Sequence, residues 1–237
     1  MASRLLLLLS LCATLGCAEQ TRVKVFVLAG QSNMEGQAEV EEQWPNGTEK
    51  NGTLTYQTTD PRTAAAFAQT LDPQNSSAWR VRDDVWVWFN EAGKTDDGTW
   101  GNLSTRFGCE GSAANHIGPE YGFGYKMADA LGEQVLVIKT AWGGKTLAGD
   151  FRPPSSCADP ATSRNRTVGY YYSRMLQMVE QTLSPANLTR YFPGAAAYEG
   201  FDVVGFGWDQ GWNDGCGSAD AGEYEFNMVN VRMRERA

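Results

Sequence analysis

A single histidine, His116, is all the imidazole that this sequence offers. Zinc centres built on two or three histidines are therefore excluded. The five cysteines, Cys12, Cys17, Cys109, Cys157 and Cys216, do not fall at zinc-ligand spacing, alone or with His116, so no metal and no other cofactor is expected. Basic charge is also short: 20 Lys and Arg stand against 28 Asp and Glu, a net charge of −8. A surface of that sign is not drawn to nucleic acid or to an anionic membrane, and neither is expected as a partner. Beyond the amino terminus no apolar run is long enough to span a bilayer, and no repeat or low-complexity segment appears. What remains is one acidic domain, long enough to bury a substantial core.

The first residues do not belong to that domain. Arg4 supplies a charge, Leu5 to Gly16 an apolar region too short to cross a membrane comfortably, and Cys17-Ala18 a cleavage site. Residues 1–18 read as a secretory leader and 23–237 as the domain, which places the mature protein outside the cell. Thr14-Leu15-Gly16 fits a lipoprotein signal poorly. Removal of the leader leaves Cys109, Cys157 and Cys216, an odd number; Cys109 is expected to pair with Cys157. Asn-X-Ser/Thr occurs at Asn46, Asn51, Asn75, Asn102, Asn165 and Asn187, which suggests a glycosylated eukaryotic protein, with polar loops of a bacterial export product as the alternative.

The most informative stretch is Val25 to Gly36, VFVLAGQSNMEG. Val23 and Val25 to Leu28 form a short, nearly continuous apolar run, as in a parallel strand buried on both faces. Gly30 then opens a turn carrying Gln31, Ser32 and Asn33. Open α/β sheets bind ligands at the carboxyl ends of their strands, and a following helix aims N–H groups at developing negative charge. Ser32 is thus the candidate nucleophile; the plain alternative is a polar turn that caps a helix. Two further apolar runs end in polar clusters. Val135 to Ile138 leads into Gly143-Gly144, where a backbone amide can approach a substrate oxygen. Val203, Val204 and Phe206 lead into Gln210, Gly211, Asn213 and Asp214. Ile117 to Leu131 reads as a crossover helix, with Pro119 at its first position and Phe123, Met127 and Leu131 at helical spacing.

The rest of the chain punctuates these elements. Glu39 to Arg82 is a polar insertion with a short helix near Thr63 to Leu71, bordering the cleft. Val85 to Phe89 is a strand of alternating valine and aromatic residues, and Asn90 to His116 a glycine-rich excursion. Val168 to Leu183 reads as a helix with Tyr172, Met175, Leu176, Val179 and Leu183 on one face. Tyr224 to Ala237 reads as an amphipathic helix. Asp83-Asp84 and Asp96-Asp97 read as solvated turn residues rather than paired acids.

On three blocks the sequence resembles the SGNH-hydrolase superfamily, and within it the sialate O-acetylesterase domain shared with carbohydrate esterase family six. GQSNMEG at Gly30 to Gly36 matches the nucleophile block, AWGGKT at Ala141 to Thr146 the glycine block, and QGWND at Gln210 to Asp214 the asparagine block. GPEYGFG at Gly118 to Gly124 and DFRPPSS at Asp150 to Ser156 also match. The resemblance implies a three-layer α/β/α sandwich with a parallel, flavodoxin-like sheet, and a serine that removes acetyl groups from O-acetylated carbohydrates through an acetyl-enzyme. It assigns Ser32 as nucleophile and as one oxyanion donor through its own N–H, Gly143 or Gly144 as the second donor, and Asn213 through its side-chain amide as the third. Substrate contacts are expected from Gln31, Gln210, Trp142, Trp212, Arg152 and His116. For Gln210 the alternative is a loop-orienting role, and for Arg152 an ion pair with Asp150 or another acid.

The family's remaining block, a carboxylate three residues before a histidine, has no counterpart in this sequence. Three readings follow. A shortened chain lacking the last strand, the last helix and the Asp/His pair is the favoured one; His116 as substitute base is the second; a glycan-binding relative without catalysis is the third. A lipase reading is disfavoured because the insertions are polar. Oligomeric state is left open.

Overall fold

A computed structural model describes residues 22–90, 98–109, 115–158, 164 and 166–231. The leader, Asp96-Asp97 and the Asn165 sequon lie outside the described residues. Five strands form the main sheet: β1 (Val23–Gly30), β3 (Arg82–Phe89), β4 (Thr99–Leu103), β6 (Val135–Ala141) and β7 (Phe201–Asp209), in the spatial order β4-β3-β6-β1-β7. A separate two-stranded ribbon pairs β2 (Ala38–Glu39) with β5 (His116–Ile117). All neighbours in the main sheet run parallel except β4, which is antiparallel to β3.

The α/β/α sandwich with a mostly parallel sheet is as expected. Its strand order adds a finding: β1 lies between β6 and β7, whereas a flavodoxin-like order would set it beside β3. β1 and β6 are the buried middle of the sheet, which accounts for apolar runs without polar alternation. β7 is an edge strand, with Val203 and Val204 exposed.

Helices cover both faces. The first short helix, α1 (Ser32–Glu35), follows β1 directly. α2 (Leu54–Thr59) and α3 (Ala64–Phe67) occupy the first insertion, where one helix was expected. The missed α2 is capped by the Thr53 side chain, which accepts from the Tyr56 N–H at 3.1 Å. α4 (Pro119–Leu131) packs on one face of the sheet, and α5 (Tyr170–Leu183) with α6 (Pro185–Tyr191) on the other. α7 (Trp212–Gly215) and α8 (Ser218–Asn230) close the described chain; α8 starts six residues earlier than expected.

α4 buries a broader stripe than its apolar spacing suggests: Phe123 and Met127 are half-buried against the core, with Phe123 5.0 Å from Phe26 between ring centres. Tyr121, Gly124, Tyr125 and Ala128 face the sheet, while Leu131 is exposed. A small residue allows close packing at one point: a Cβ at Gly124 would meet Leu103 Cδ2 at 2.7 Å. β4 lies within the stretch expected as a glycine-rich excursion; its residues Trp100 and Gly101 lack the apolar run that marks a strand, and pairing with β3 supplies the order.

Beneath the turn at the end of β1 lies a buried ion pair. Lys139 and Glu120, both without solvent exposure, meet at 2.8 Å, and the Lys139 ammonium also donates to the Glu35 carbonyl at 2.7 Å and to the Phe107 carbonyl. It sits 4.1 Å from the centre of the Phe89 ring. Burial pushes the Lys139 ammonium below the usual lysine range, with Glu120 pulling the other way. The Glu120 carboxylate in turn accepts the Gly118 N–H at 2.9 Å. One cation therefore joins β6, α4, α1 and the loop after β4. Glu120→Ala leaves that cation buried without its partner and is expected to lower unfolding free energy by about 3–5 kcal/mol, read as a fall in the urea midpoint. An unchanged midpoint would contradict the pairing.

Candidate active site

Parallel register fixes where the three motif blocks meet. Gly30 pairs with Ala141 on one side and with Asp209 on the other, so β1, β6 and β7 end level with one another. The nucleophile, glycine and asparagine blocks each begin at one of these ends. Close approach requires glycine at the first: a Cβ on Gly30 would lie 2.0 Å from the Asp209 carbonyl oxygen. The Gln31 N–H bonds that same carbonyl at 3.1 Å, and the Trp142 N–H bonds the Gly30 carbonyl at 3.1 Å.

Side chains then tie the blocks together. Gln210 Nε2 lies 3.2 Å from Gln31 Oε1, 2.9 Å from the Lys145 carbonyl and 2.6 Å from Asp214 Oδ2, one acceptor from each block. Gln31 Oε1 also receives the Asn213 N–H at 3.4 Å. Asp214 is buried, and its two oxygens accept the N–H groups of Leu147 and Ala148, each at 2.8 Å. Tyr224 of α8 donates its hydroxyl to the Gln210 carbonyl and accepts from Trp208 Nε1 at 3.1 Å. The polar cluster is dense in acceptors for N–H groups, which is what holds two loops of irregular backbone in one shape.

Ser32 begins α1 and is half-buried; its carbonyl accepts the Gly36 N–H at 3.0 Å. A Cβ built on Gly143 would lie 3.7 Å from Ser32 Cβ, so the glycine loop lies against the serine. Among the described residues, the N–H and hydroxyl of Ser32, the N–H of Gly144 and the side-chain amide of Asn213 make no hydrogen bond. Gly144 has φ +75° and open space around its Cβ position. The Gly143 N–H, in contrast, donates to Glu35 Oε2 at 3.0 Å.

Several expected substrate contacts turn out to be scaffold. Trp142 is buried and packs on Phe151 and Tyr171, because the residue after β6 points into the core. Trp212 is 78% exposed and free to meet a ligand. Arg152 is fully buried, with Nη1 on Glu223 at 2.6 Å and on the Ala148 carbonyl at 3.0 Å, and Nη2 on the Ser156 carbonyl at 2.9 Å. It forms the structural ion pair, with Glu223 rather than Asp150, and no ligand carboxylate reaches it. Gln31 is buried and tied to the asparagine block, while Gln210 takes the loop-orienting role. His116 lies on the two-stranded ribbon, its Nε2 2.9 Å from Glu39 Oε1. Asp84 belongs to β3 and pairs with Arg82 at 2.7 Å, so it is no turn residue.

The expected disulfide is absent: Cys109 is buried and not disulfide-bonded, and neither Cys157 nor Cys216 is joined in a disulfide among the described residues. Among the described residues no group of three His, Cys, Asp or Glu gathers as metal ligands, and no helix is long and apolar enough to cross a membrane. Sequence reasoning passed over Glu35, Glu120, Lys139 and the role of Asp214. Their one available signal was a charged residue inside an otherwise apolar strand or a tight motif: Lys139 within VLVIKTA, Glu35 within SNMEG.

Residues 22–237 match the family model described as carbohydrate esterase, sialic acid-specific acetylesterase. The chain belongs to that family. Among solved structures, one similar to this esterase-family chain is a protein from Arabidopsis thaliana, 16% identical over 88% of this chain and 66% of the other, with a TM-score of 0.47. Another is a carbohydrate acetylesterase from Xanthomonas citri, 16% identical over 87% and 37%, with a TM-score of 0.43. The chain thus spans less than two thirds of either. No curated protein gives a significant match.

Asp214→Asn replaces an oxygen with an NH₂ that faces N–H or NH₂ groups at every contact. The expected result is a loss of about 1–3 kcal/mol in stability and faster hydrogen exchange at the Leu147 and Ala148 amides. Unchanged exchange at both would show that Asp214 does not hold the glycine loop.

Proposed function

We propose that this chain is a serine esterase that removes acetyl groups from O-acetylated carbohydrates, sialic acid or polysaccharide esters among them. One observation carries the reading: level strand ends bring Ser32, the glycine loop and Asn213 to a single edge of the sheet, with the Ser32 N–H, the Gly144 N–H and the Asn213 side-chain amide unspent among the described residues. Ser32 Oγ attacks the acetyl carbonyl carbon, and the carbonyl electron pair moves onto its oxygen. Backbone N–H groups and the Asn213 amide donate to that oxygen without bringing net charge. On collapse the proton lost by Ser32 Oγ passes to the departing sugar oxygen, which leaves as a hydroxyl, and acetyl-Ser32 remains; water then adds to it, one of the water's protons returns to Ser32 Oγ, and acetate departs. Loss of one oxyanion donor in such a site raises the barrier by about 2.7–4 kcal/mol.

The serine proton needs a base. The only histidine has its Nε2 on Glu39, and no carboxylate-x-x-histidine block occurs in the 237 residues. Turnover by this sequence is therefore expected to run slower by about 10²–10⁴ than with a positioned base. Trp212, exposed beside Asn213, favours a second reading in which the site retains glycans without cleaving them.

Secretion belongs to the same proposal. Its support is the leader together with Asn46, Asn51, Asn75 and Asn102, all exposed. Asn187 is half-buried and donates its Nδ2 to the Gln181 carbonyl at 2.9 Å, which makes it the poorer acceptor of sugar.

Acetate release from an O-acetylated sialoside is expected to be slow, to rise with added imidazole, and to vanish in Ser32→Ala with or without imidazole. Release that survives Ser32→Ala would overturn the nucleophile assignment; retention of the glycan with no release would favour the binding reading. Expressed through a eukaryotic secretory pathway, the protein should lose mass on enzymatic removal of N-glycans. No change in mass would argue against secretion by that route.

A further inference from the structure

Glu35 stands three residues after Ser32, closes α1 and is only 6% exposed. A carboxylate buried that deeply needs donors. One is the Gly143 N–H, at 3.0 Å from Oε2, so this side chain reaches from the nucleophile block to the glycine block. Its position is set from below: the Glu35 carbonyl is held by Lys139 Nζ at 2.7 Å, and Lys139 is held by Glu120. A Cβ on Gly143 would lie 2.9 Å from Oε2, so any larger residue there would crowd the contact. The adjoining amide differs. Gly144 is exposed, has φ +75°, and its N–H has no hydrogen-bond partner among the described residues.

We propose that Glu35 is a positioning residue for acyl transfer: by holding the Gly143 N–H it sets the turn so that the Gly144 N–H faces the acetyl oxygen. The proposal rests on the acetylesterase reading. Glu35 moves no proton and touches no reacting atom. It turns a glycine pair, which has two amides able to swing toward either side, into one fixed donor and one structural bond. A carboxylate near a forming oxyanion would repel it in isolation. Here the Gly143 N–H takes part of that charge, and the Lys139 ammonium is close enough to interact with Glu35 electrostatically.

The test compares Glu35→Ala, which removes the acceptor, with Glu35→Gln, which keeps an acceptor oxygen without the charge, and uses Ser32→Ala as control. Expected in acetate release with imidazole present is a fall in kcat of about 10²–10³ for Glu35→Ala with KM changed less than about threefold, and recovery to within about tenfold of the parent for Glu35→Gln. Hydrogen exchange of the Gly143 amide should quicken in Glu35→Ala and stay slow in Glu35→Gln. Parent-like kcat in Glu35→Ala would overturn the proposal. So would Glu35→Gln as slow as Glu35→Ala while Gly143 stays protected, since that would assign the effect to charge.

A parent protein with no Ser32-dependent acetate release would sink the acetylesterase reading instead. Phenylboronic acid then serves as the probe: Ser32 Oγ bonds to boron, its proton passes to solvent, and the tetrahedral boronate presents an oxygen to the same donors. Weaker binding in Glu35→Ala that recovers in Glu35→Gln supports the positioning role. Equal binding in all three, or no Ser32-dependent adduct in any, overturns it.

Discussion

The parallel register of β1 between β6 and β7 is the constraint on which the site depends. Because Gly30, Ala141 and Asp209 are level, three sequence blocks more than sixty residues apart from one another emerge at one edge. The register itself hangs on the missing side chain at Gly30, where any Cβ would collide with the Asp209 carbonyl. A slip of one residue along the sheet would exchange the two buried faces of β1, setting Val25 and Val27 where Phe26 and Leu28 pack, and separate the blocks. Fold and site are therefore one problem in this chain: the hydrogen-bond ladder that buries Val25 and Val27 also sets where Ser32 stands.

Charge inside the molecule is spent on holding that arrangement. Lys139 and Glu120 lie under the nucleophile turn, Asp214 under the glycine loop, and Arg152 with Glu223 between the loop at 148–156 and α8. Lys139, Glu120, Asp214 and Arg152 are buried, and each bonds a backbone group as well as a side chain. Burying an ion pair stabilises little in itself, since desolvation takes back most of the attraction. What these pairs contribute is geometry: three loops that leave the sheet with irregular backbone are given fixed partners for their N–H and carbonyl groups. The donors left over, on Ser32, Gly144 and Asn213, are the ones that the proposed acyl transfer would use.

Side chains with a chemical reputation were the ones whose place the sequence concealed. Trp142 directly follows β6 and Trp212 stands three residues after β7; one is core and the other exposed. The difference lies in the cover: α5 brings Tyr171 over Trp142, whereas β7 is an edge strand and nothing described packs over Trp212. Arg152 suggested a ligand carboxylate, but Glu223, more than seventy positions along, reaches it first. Cys109 and Cys157 looked like a pair by count alone; they are separate thiols because counting says nothing about distance.

By itself the sequence determined the α/β alternation, the strand β1, the glycine and asparagine blocks and the serine on a turn, since each is a local matter of apolar runs, turn residues and spacing. It also determined the scarcity of histidine, which bounds the chemistry before any fold is known. The ribbon of β2 and β5 and the strand β4 were not legible, because their order comes from pairing partners and not from their own composition. Only the tertiary structure decided that β1 lies between β6 and β7, that the Gly143 amide goes to Glu35, and that Gln31, Gln210 and Asp214 form one cluster. Those are contacts between residues as much as 179 positions apart. Their energies arise when desolvated polar groups meet, and no property of either segment alone contains them.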